Sequence, residues 1–506
     1  MCGICGFANY RNDELLKGMA SRLAHRGPDE DGFFTEGEKV SLGMRRLKII
    51  DLATGSQPIT NEDGFITVVF NGEIYNFREL RSELQGKGHR FRTRTDTEVL
   101  AHLYEEYGDE LSARLRGMFA FAIWDARKSV LLLSRDHFGI KPLFYSIVGN
   151  KLYFASEMKA LLLAADIGAG LDSEAIDAYF TNLYIPAPLT VYKAIRKLEP
   201  ARTLLFCGGK AEIKTYWRVP EFGASPVKTW GEYLEKADTL LSSSVREQLV
   251  SDVPLGLLLS GGVDSSTLLY YMNRLGAGPV KTFSVGYGRK DFSFNETSQA
   301  RRLSRHFRSE HYESIVQPDA RNVMEKLAAT FDEPFADACA IPSFLVTAAA
   351  RKKVTVALSG LGGDEFFAGY PRHLGARLMP VYLKLPLALR EGFWTAARML
   401  KESRSAQNLP GRLKRFIKGG RSDFRAAYDS WISYFSPEER ALLYSHSHTG
   451  SAGSAPAFPG RLASPDDIFA YELRNYLSDD LLCLADRVSM ANSLELRVPF
   501  LDVRLA

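Results

Sequence analysis

The run FITVVF at residues 65–70 is β-branched and aromatic throughout, which predicts a strand, and it leads directly into Asn71-Gly72-Glu73-Ile74. A strand ending in Asn-Gly-Glu sets an amide, a pliable backbone and a carboxylate at one sheet edge. Leu42 to Asp51 reads as a second apolar strand, edged by arginines, and His25 to Asp29 as a turn. Further along, Trp230 to Val250 has helical character and precedes Asp252 to Leu259, a buried strand. That strand ends in Ser260-Gly261-Gly262, a glycine turn, and a helix start capped by Asp or Ser. Lys281 to Tyr287, His311 to Val316 and Val354 to Ser359 predict further strands separated by helical stretches, a pattern of crossovers in one parallel sheet. Pro220 to Pro226 reads as a linker. The apolar stretch Ala160 to Ala165 is far short of the ~20 residues that cross a bilayer.

Composition narrows the class. At 506 residues the chain predicts two or three domains, and 45% hydrophobic with 25% charged residues is the balance of a soluble globular protein. The amino terminus lacks a charged stretch followed by an apolar one, so no secretory signal is expected. Five scattered cysteines (Cys2, Cys5, Cys207, Cys339 and Cys483) argue for reduced thiols and a cytoplasmic location. A net charge of +4 is too mild to indicate nucleic acid. The basic stretch Lys401 to Arg425 reads as a solvated helical face, and His446-Ser447-His448 as part of a mobile loop.

The opening Cys2-Gly3-Ile4-Cys5 admits several chemistries. Zinc is disfavoured, since no second C-x-x-C exists and His25, His89 and His102 show no metal-ligand spacing. A thioredoxin-like pair needs a preceding strand, for which there is no room. A buried, inert cysteine remains open, as does a nucleophile exposed by removal of Met1 that uses its own α-amine, whose reference pKa is ~7.7–8.0, as base.

Taken with His25 to Asp29, Arg46, Asn71 to Asn76, Thr95 to Glu98, Gly117 to Asp125 and Arg135 to Tyr145, the opening resembles the glutamine amidotransferase domain of the N-terminal-nucleophile hydrolases. The resemblance implies that Cys2 attacks the glutamine side-chain amide, that Asn71 and Gly72 stabilise the oxyanion, and that ammonia is released. It implies that Arg46 pairs with the substrate carboxylate, Asp96 with its ammonium, and Glu73 orients it, within a glutamine-binding set that includes Leu47, Lys48, Ile49 and Ile50.

The string Ser260-Gly261-Gly262-Val263-Asp264-Ser265-Ser266 is similar to the pyrophosphate loop of ATP pyrophosphatases. It lacks the lysine of a Walker A loop. By this resemblance Leu258, Val285, Ser359 and Gly360 line the nucleotide pocket, and Asp264 with Asp364 holds Mg²⁺. The order of the two halves resembles glutamine-hydrolysing asparagine synthetases. The implied fold class is α/β and α+β, an αββα sandwich over residues 2–205, a linker over 206–230, and a doubly wound parallel-sheet ATP pyrophosphatase domain over 231–506. The implied cofactors are ATP and Mg²⁺, and the partners are glutamine and aspartate or another carboxylate, with neither nucleic acid nor membrane and with a homodimer as the assembly. Two departures accompany the resemblance. Leu361 stands where family members carry an acid, and the chain stops at Ala506, before a family lysine that contacts the adenylate, so a truncated carboxyl terminus is expected. They keep open an amidotransferase for another carboxylate, such as a sugar acid, and a glutaminase or binding protein with a defective second half.

Overall fold

β1 (Gly3–Ala8) sends Ile4 and Ala8 to one face and Cys5 and Phe7 to the other, and all four are buried. A strand buried on both faces needs a layer on each side. The computed structural model, which describes residues 1–220, 229–287, 295–316, 320–401, 408–444 and 462–506, supplies them. The strands that follow are β2 (Glu30–Glu36), β3 (Val40–Arg46), β4 (Ile59–Thr60), β5 (Ile66–Ile74), β6 (Gly117–Asp125), β7 (Val130–Arg135), β8 (Phe144–Val148), β9 (Lys151–Ala155), β10 (Arg196–Lys197), β11 (Arg202–Cys207) and β12 (Lys210–Thr215). With β1 they form two 6-stranded antiparallel sheets, ordered β10-β8-β9-β1-β3-β2 and β12-β11-β7-β6-β5-β4. Ile4, Leu42 and Phe154 of the first meet Val69, Ala120 and Leu133 of the second between the sheets. Helix α1 (Asp13–Arg22) covers the outer face of the first through Leu16 and Met19. Helices α2 (Phe77–Gly86) and α3 (Glu98–Tyr107) cover the second through Leu80, Leu84, Val99 and Leu103. The result is a four-layer αββα sandwich.

The second half holds β13 (Leu255–Leu258), β14 (Lys281–Tyr287), β15 (Glu310–Val316), β16 (Val356–Leu358) and β17 (Glu495–Arg497), all parallel and ordered β15-β14-β13-β16-β17. Leu257 packs on the helices Trp230–Gln248 and Val263–Arg274, while the other face, through Phe283 and Ala357, packs on Ala340–Arg351. Helices on both faces make it a doubly wound sheet. After β13 the chain builds outward through β14 and β15, then returns to the other side of β13 with β16. The crevice between β13 and β16 is therefore the topological switch point where such folds bind ligands.

The expected elements shift in four places. β3 ends at Arg46, so Leu47 to Ile50 form a loop. β5 continues through Asn71, Gly72 and Glu73 to Ile74. β11 and β12 carry the second sheet to Thr215, into the stretch from 206 expected as linker. β17 has no counterpart among the expected strands. Residues 221–226 of the proposed linker and the His446-Ser447-His448 segment lie outside the described residues. The helix Leu409–Gly419 occupies the centre of the basic stretch. No helix among the described residues is long and apolar enough to cross a membrane.

Buried ion pairs join the halves. Arg26, wholly buried, donates to both carboxylate oxygens of Asp486 at 2.7 and 3.0 Å and to Glu157 at 3.0 Å. Lys141 adds a contact to Asp486 at 3.3 Å, and Arg487 reaches Glu157 at 3.1 Å and Asp332 at 3.3 Å. Removing one partner of such a pair leaves a buried charge uncompensated. Arg26→Ala is therefore expected to cost about 3–5 kcal/mol, read as a fall in the denaturant midpoint, and an unchanged midpoint would contradict the pinning role.

Candidate active site

Cys2 is 6% exposed and lies between the two sheets. Its backbone nitrogen donates to Asn71 Oδ1 at 3.0 Å, and its carbonyl accepts from Arg26 Nε at 3.1 Å. Burial pushes the thiol pKa up, against the opposing pull of the amino terminus, the Leu47 N–H and Arg46. The thiol consequently needs a nearby base to become a nucleophile.

Asn71 can serve two purposes because of its place on β5. β4 pairs only with Thr67 and Val68, so no strand of the described residues covers that edge of β5 from Asn71 to Ile74. Asn71 Oδ1 holds the Cys2 nitrogen, while its Nδ2 is buried and has no hydrogen-bond partner among the described residues. An orphaned donor of this kind is costly unless a ligand satisfies it. Gly72 beside it has φ +154°, and a Cβ there would lie 2.0 Å from the Met118 carbonyl oxygen, so only glycine lets the strand run this way. The resemblance assigns this donor to the oxyanion of glutamine hydrolysis, and on that expectation Asn71→Ala lowers kcat for that step by about 10²–10³ with ammonia-driven activity preserved. A loss below threefold would exclude the oxyanion role.

Around this edge sit charged groups from both halves. Asp96 accepts from the Ile74 N–H at 2.8 Å and from Thr95 at 3.1 Å, and burial raises its carboxyl to about 6. Burial, then Glu495 and Asp96, push the Glu73 carboxyl well above the usual range, while Arg497 opposes them. Glu495 and Arg497 come from β17 of the second half. Glu495 accepts from the Met1 ammonium at 3.0 Å and from Arg497 Nε at 2.7 Å. Arg497 reaches Glu73 at 3.5 Å and donates to the carbonyls of Gln248 and Val250 at 2.6 and 2.7 Å. Burial works against the Glu495 charge, but the terminus and Arg497 outweigh it and lower its pKa. Burial and neighbouring carboxylates thus hold both Glu73 and Asp96 above their usual range, a setting that favours a cationic ligand group.

Arg46 is held by Glu30 at 3.2 Å and by the carbonyls of Ile50 and Asp51 at 3.2 and 2.8 Å. Leu47 donates its N–H to the Met1 carbonyl at 3.1 Å, and Ile49 packs in the same apolar cluster as Met1. Lys48 turns its side chain to Glu30, 3.5 Å away.

The second candidate site lies at the switch point. Gly261 has φ +91°, and a Cβ there would sit 2.8 Å from Gln299 Cβ and 2.9 Å from the Ala300 nitrogen. Gly262 donates its N–H to Ser260 Oγ at 3.1 Å, which braces the turn before the helix Val263–Arg274. The positive end of that helix is suited to an anion. The loop after β16 packs against this turn, with an ideal Gly363 Cβ only 2.4 Å from Asp264 Cγ. Burial, then Asp364 and Glu365, raise the Asp264 carboxyl to about 6. Leu258, Val285, Ser359 and Gly360 belong to β13, β14 and the loop that follows β16, at the carboxyl ends of adjacent strands.

Between the sites runs one apolar cluster. Met1, Leu47, Ile49, Met118, Phe138 and Ile140 of the first half pack with Leu477, Leu482, Met490, Val498 and Leu501 of the second. Leu361, in the loop after β16, packs against that cluster and against the one beneath β14 and β16.

Comparison with known proteins gives two family matches. Residues 1–217 match the glutamine amidotransferase domain and residues 236–506 match asparagine synthase. Asparagine synthetase [glutamine-hydrolyzing] 1 of Bacillus subtilis is 36% identical over 99% of this chain and 79% of its own length. Asparagine synthetase [glutamine-hydrolyzing] 3 of the same organism is 31% identical over 100% of this chain and 80% of its own. Among solved structures, the allosteric regulatory enzyme of purine biosynthesis aligns over 71% of this chain and 74% of its own at 16% identity and TM-score 0.34, which adds nothing to the fold described above.

Proposed function

This chain belongs to the family of glutamine-hydrolysing asparagine synthetases, and from that premise we propose how its residues divide the work of amidating aspartate with glutamine nitrogen at the expense of ATP. With Met1 removed, the Cys2 α-amine takes the thiol proton and Sγ attacks the glutamine amide carbon. The amide nitrogen leaves as ammonia, a thioester forms, and water releases glutamate, so one difficult hydrolysis becomes two easier steps. Asn71 Nδ2 and the Gly72 N–H donate to the oxyanion. Arg46 takes the substrate carboxylate, Asp96 and Glu73 its ammonium, in keeping with the cation-favouring setting there.

In the second half the aspartate carboxylate attacks the α-phosphorus of ATP and expels pyrophosphate, giving an acyl-adenylate. Ammonia then attacks the acyl carbon and AMP leaves. The braced Ser260 to Ser266 turn receives the phosphates, and Leu258, Val285, Ser359 and Gly360 line the nucleotide pocket. Asp264 and Asp364 fit Mg²⁺, since they offer only oxygen donors and the raised Asp264 carboxyl marks negative charge from Asp364 and Glu365 that no cation among the described residues offsets. Mg²⁺ bound there supplies charge neutralisation to the phosphates. A division into a glutaminase half and a synthetase half with a connection between them is in keeping with the matched ranges 1–217 and 236–506.

The observation that carries this reading is the apolar cluster joining the sites. Ammonia in neutral water is mostly protonated and non-nucleophilic, so a dry route keeps it reactive. The test is pyrophosphate release from Mg-ATP and glutamine, with and without aspartate, alongside an asparagine assay. Aspartate-dependent pyrophosphate matched by asparagine is expected. Glutamine hydrolysis without either product would overturn aspartate as the acceptor.

A further inference from the structure

On the helical layer outside the second sheet, away from the inter-sheet position of Cys2, two histidines and two glutamates converge. Glu62 comes from the turn after β4, His89 from the segment after α2, and His102 and Glu105 from one face of α3. One donor atom from each lies within 4.8 Å of all the others. We propose that these four residues bind a divalent transition metal of the zinc type.

The distances carry the proposal. His102 Nδ1 is 3.3 Å from Glu62 Oε2 and 3.3 Å from Glu105 Oε2. His89 Nδ1 is 3.6 Å from Glu105 Oε2 and 3.9 Å from Glu62 Oε1. A tetrahedral ion with bonds of about 2.0–2.1 Å sets its donors about 3.3 Å apart, which both His102 separations match, while His89 stands farther off and meets Glu62 at Oε1 rather than Oε2, so its ring turns inward to close the set. Both imidazoles present Nδ1 to that centre, and their rings lie 5.0 Å apart.

The surroundings match what metal-binding histidines require. A ligating imidazole usually gives its other nitrogen to a carboxylate, which fixes the tautomer. His89 Nε2 is 3.1 Å from Glu106 Oε1, while His102 Nε2 makes no hydrogen bond among the described residues, with Glu98 Oε1 3.8 Å away. The carboxylates are oriented as well. Glu105 Oε1 accepts from Asn61 Nδ2 at 2.7 Å, which leaves Oε2 for the centre, and Glu62 Oε1 accepts from the Arg90 N–H at 2.6 Å. His102 is 0% exposed, whereas His89 and the glutamates reach solvent and give the ion an entry. Imidazoles, carboxylates and near-tetrahedral spacing favour Zn²⁺ over Mg²⁺ or Ca²⁺, which take oxygen donors in larger shells. The ion would tie two connecting segments to α3, the helix that begins just after Asp96. Its role is structural, since no member of the group touches the glutamine site.

The experiment uses the full chain, stripped with a chelator and titrated with Zn²⁺ alone, then with Co²⁺ as a spectroscopic probe. One equivalent is expected to bind with submicromolar affinity, to raise the thermal midpoint, and to give the intense visible bands of tetrahedral Co²⁺. Cys2→Ala keeps that equivalent. His89→Gln and Glu105→Gln each weaken Zn²⁺ binding at least 100-fold, and Glu106→Gln weakens it by about 10–100-fold. Absence of submicromolar binding by the parent chain, an octahedral Co²⁺ spectrum, or an equivalent retained at full affinity in His89→Gln and Glu105→Gln would overturn the site.

Discussion

Cys2→Ala is expected to abolish glutamine hydrolysis, by about 10⁴-fold or more, while pyrophosphate release driven by added ammonium stays within twofold of the parent. The asymmetry follows from position. Cys2 sits between the sheets of the first half, bonded to Asn71, whereas the phosphate-binding turn belongs to another sheet. Removing one sulfur atom takes away the nucleophile but leaves β1 in place, because the neighbouring Ile4 and the Asn71 bond to the backbone nitrogen hold the strand. Equal loss of both activities would mean that the chemistry is not divided between two sites.

Asp264→Asn is expected to do the converse. It removes a carboxylate from a pocket whose negative charge suits a cation, and pyrophosphate release should fall by about 10²-fold or more with either nitrogen source. Glutamine hydrolysis in the absence of ATP should continue within threefold. The change from carboxylate to amide hardly alters volume, and it relieves rather than adds charge repulsion with Asp364 and Glu365. Folding is therefore preserved, and retained pyrophosphate release would remove Asp264 from the phosphate and metal site.

Much of this architecture was legible because the chemistry sits on local motifs. Thr67, Val68 and Val69 build a strand whose continuation carries Asn71, Gly72 and Glu73, and a buried β13 must turn sharply at Gly261 to start a helix. What escaped depends on groups remote in sequence. Nothing near Glu495 or Arg497 announces that they face Met1 and Glu73, since the contact exists only once the two sheets meet. The Arg26 pairing with Asp486 is hidden for the same reason. β12, Lys210 to Thr215, falls in the expected linker because the resemblance that sets the boundary ends near residue 205 and the strand is short, charged and mostly exposed, as suits an edge strand. His89 and His102 lack recognisable ligand spacing because they belong to different elements that converge only through the packing of α3 on the loops beside it.

The central claim is that ammonia passes between the sites along the buried seam from Leu47 and Met118 to Leu361 without mixing with solvent. The most direct test supplies amide-¹⁵N glutamine, Mg-ATP and aspartate with excess unlabelled ammonium at a pH where free ammonia is scarce, and measures the label in asparagine. Asparagine carrying nearly undiluted ¹⁵N is the expected result. Label diluted to the isotopic ratio of the bulk pool would contradict the account, because the nitrogen would then have left the protein before it reacted.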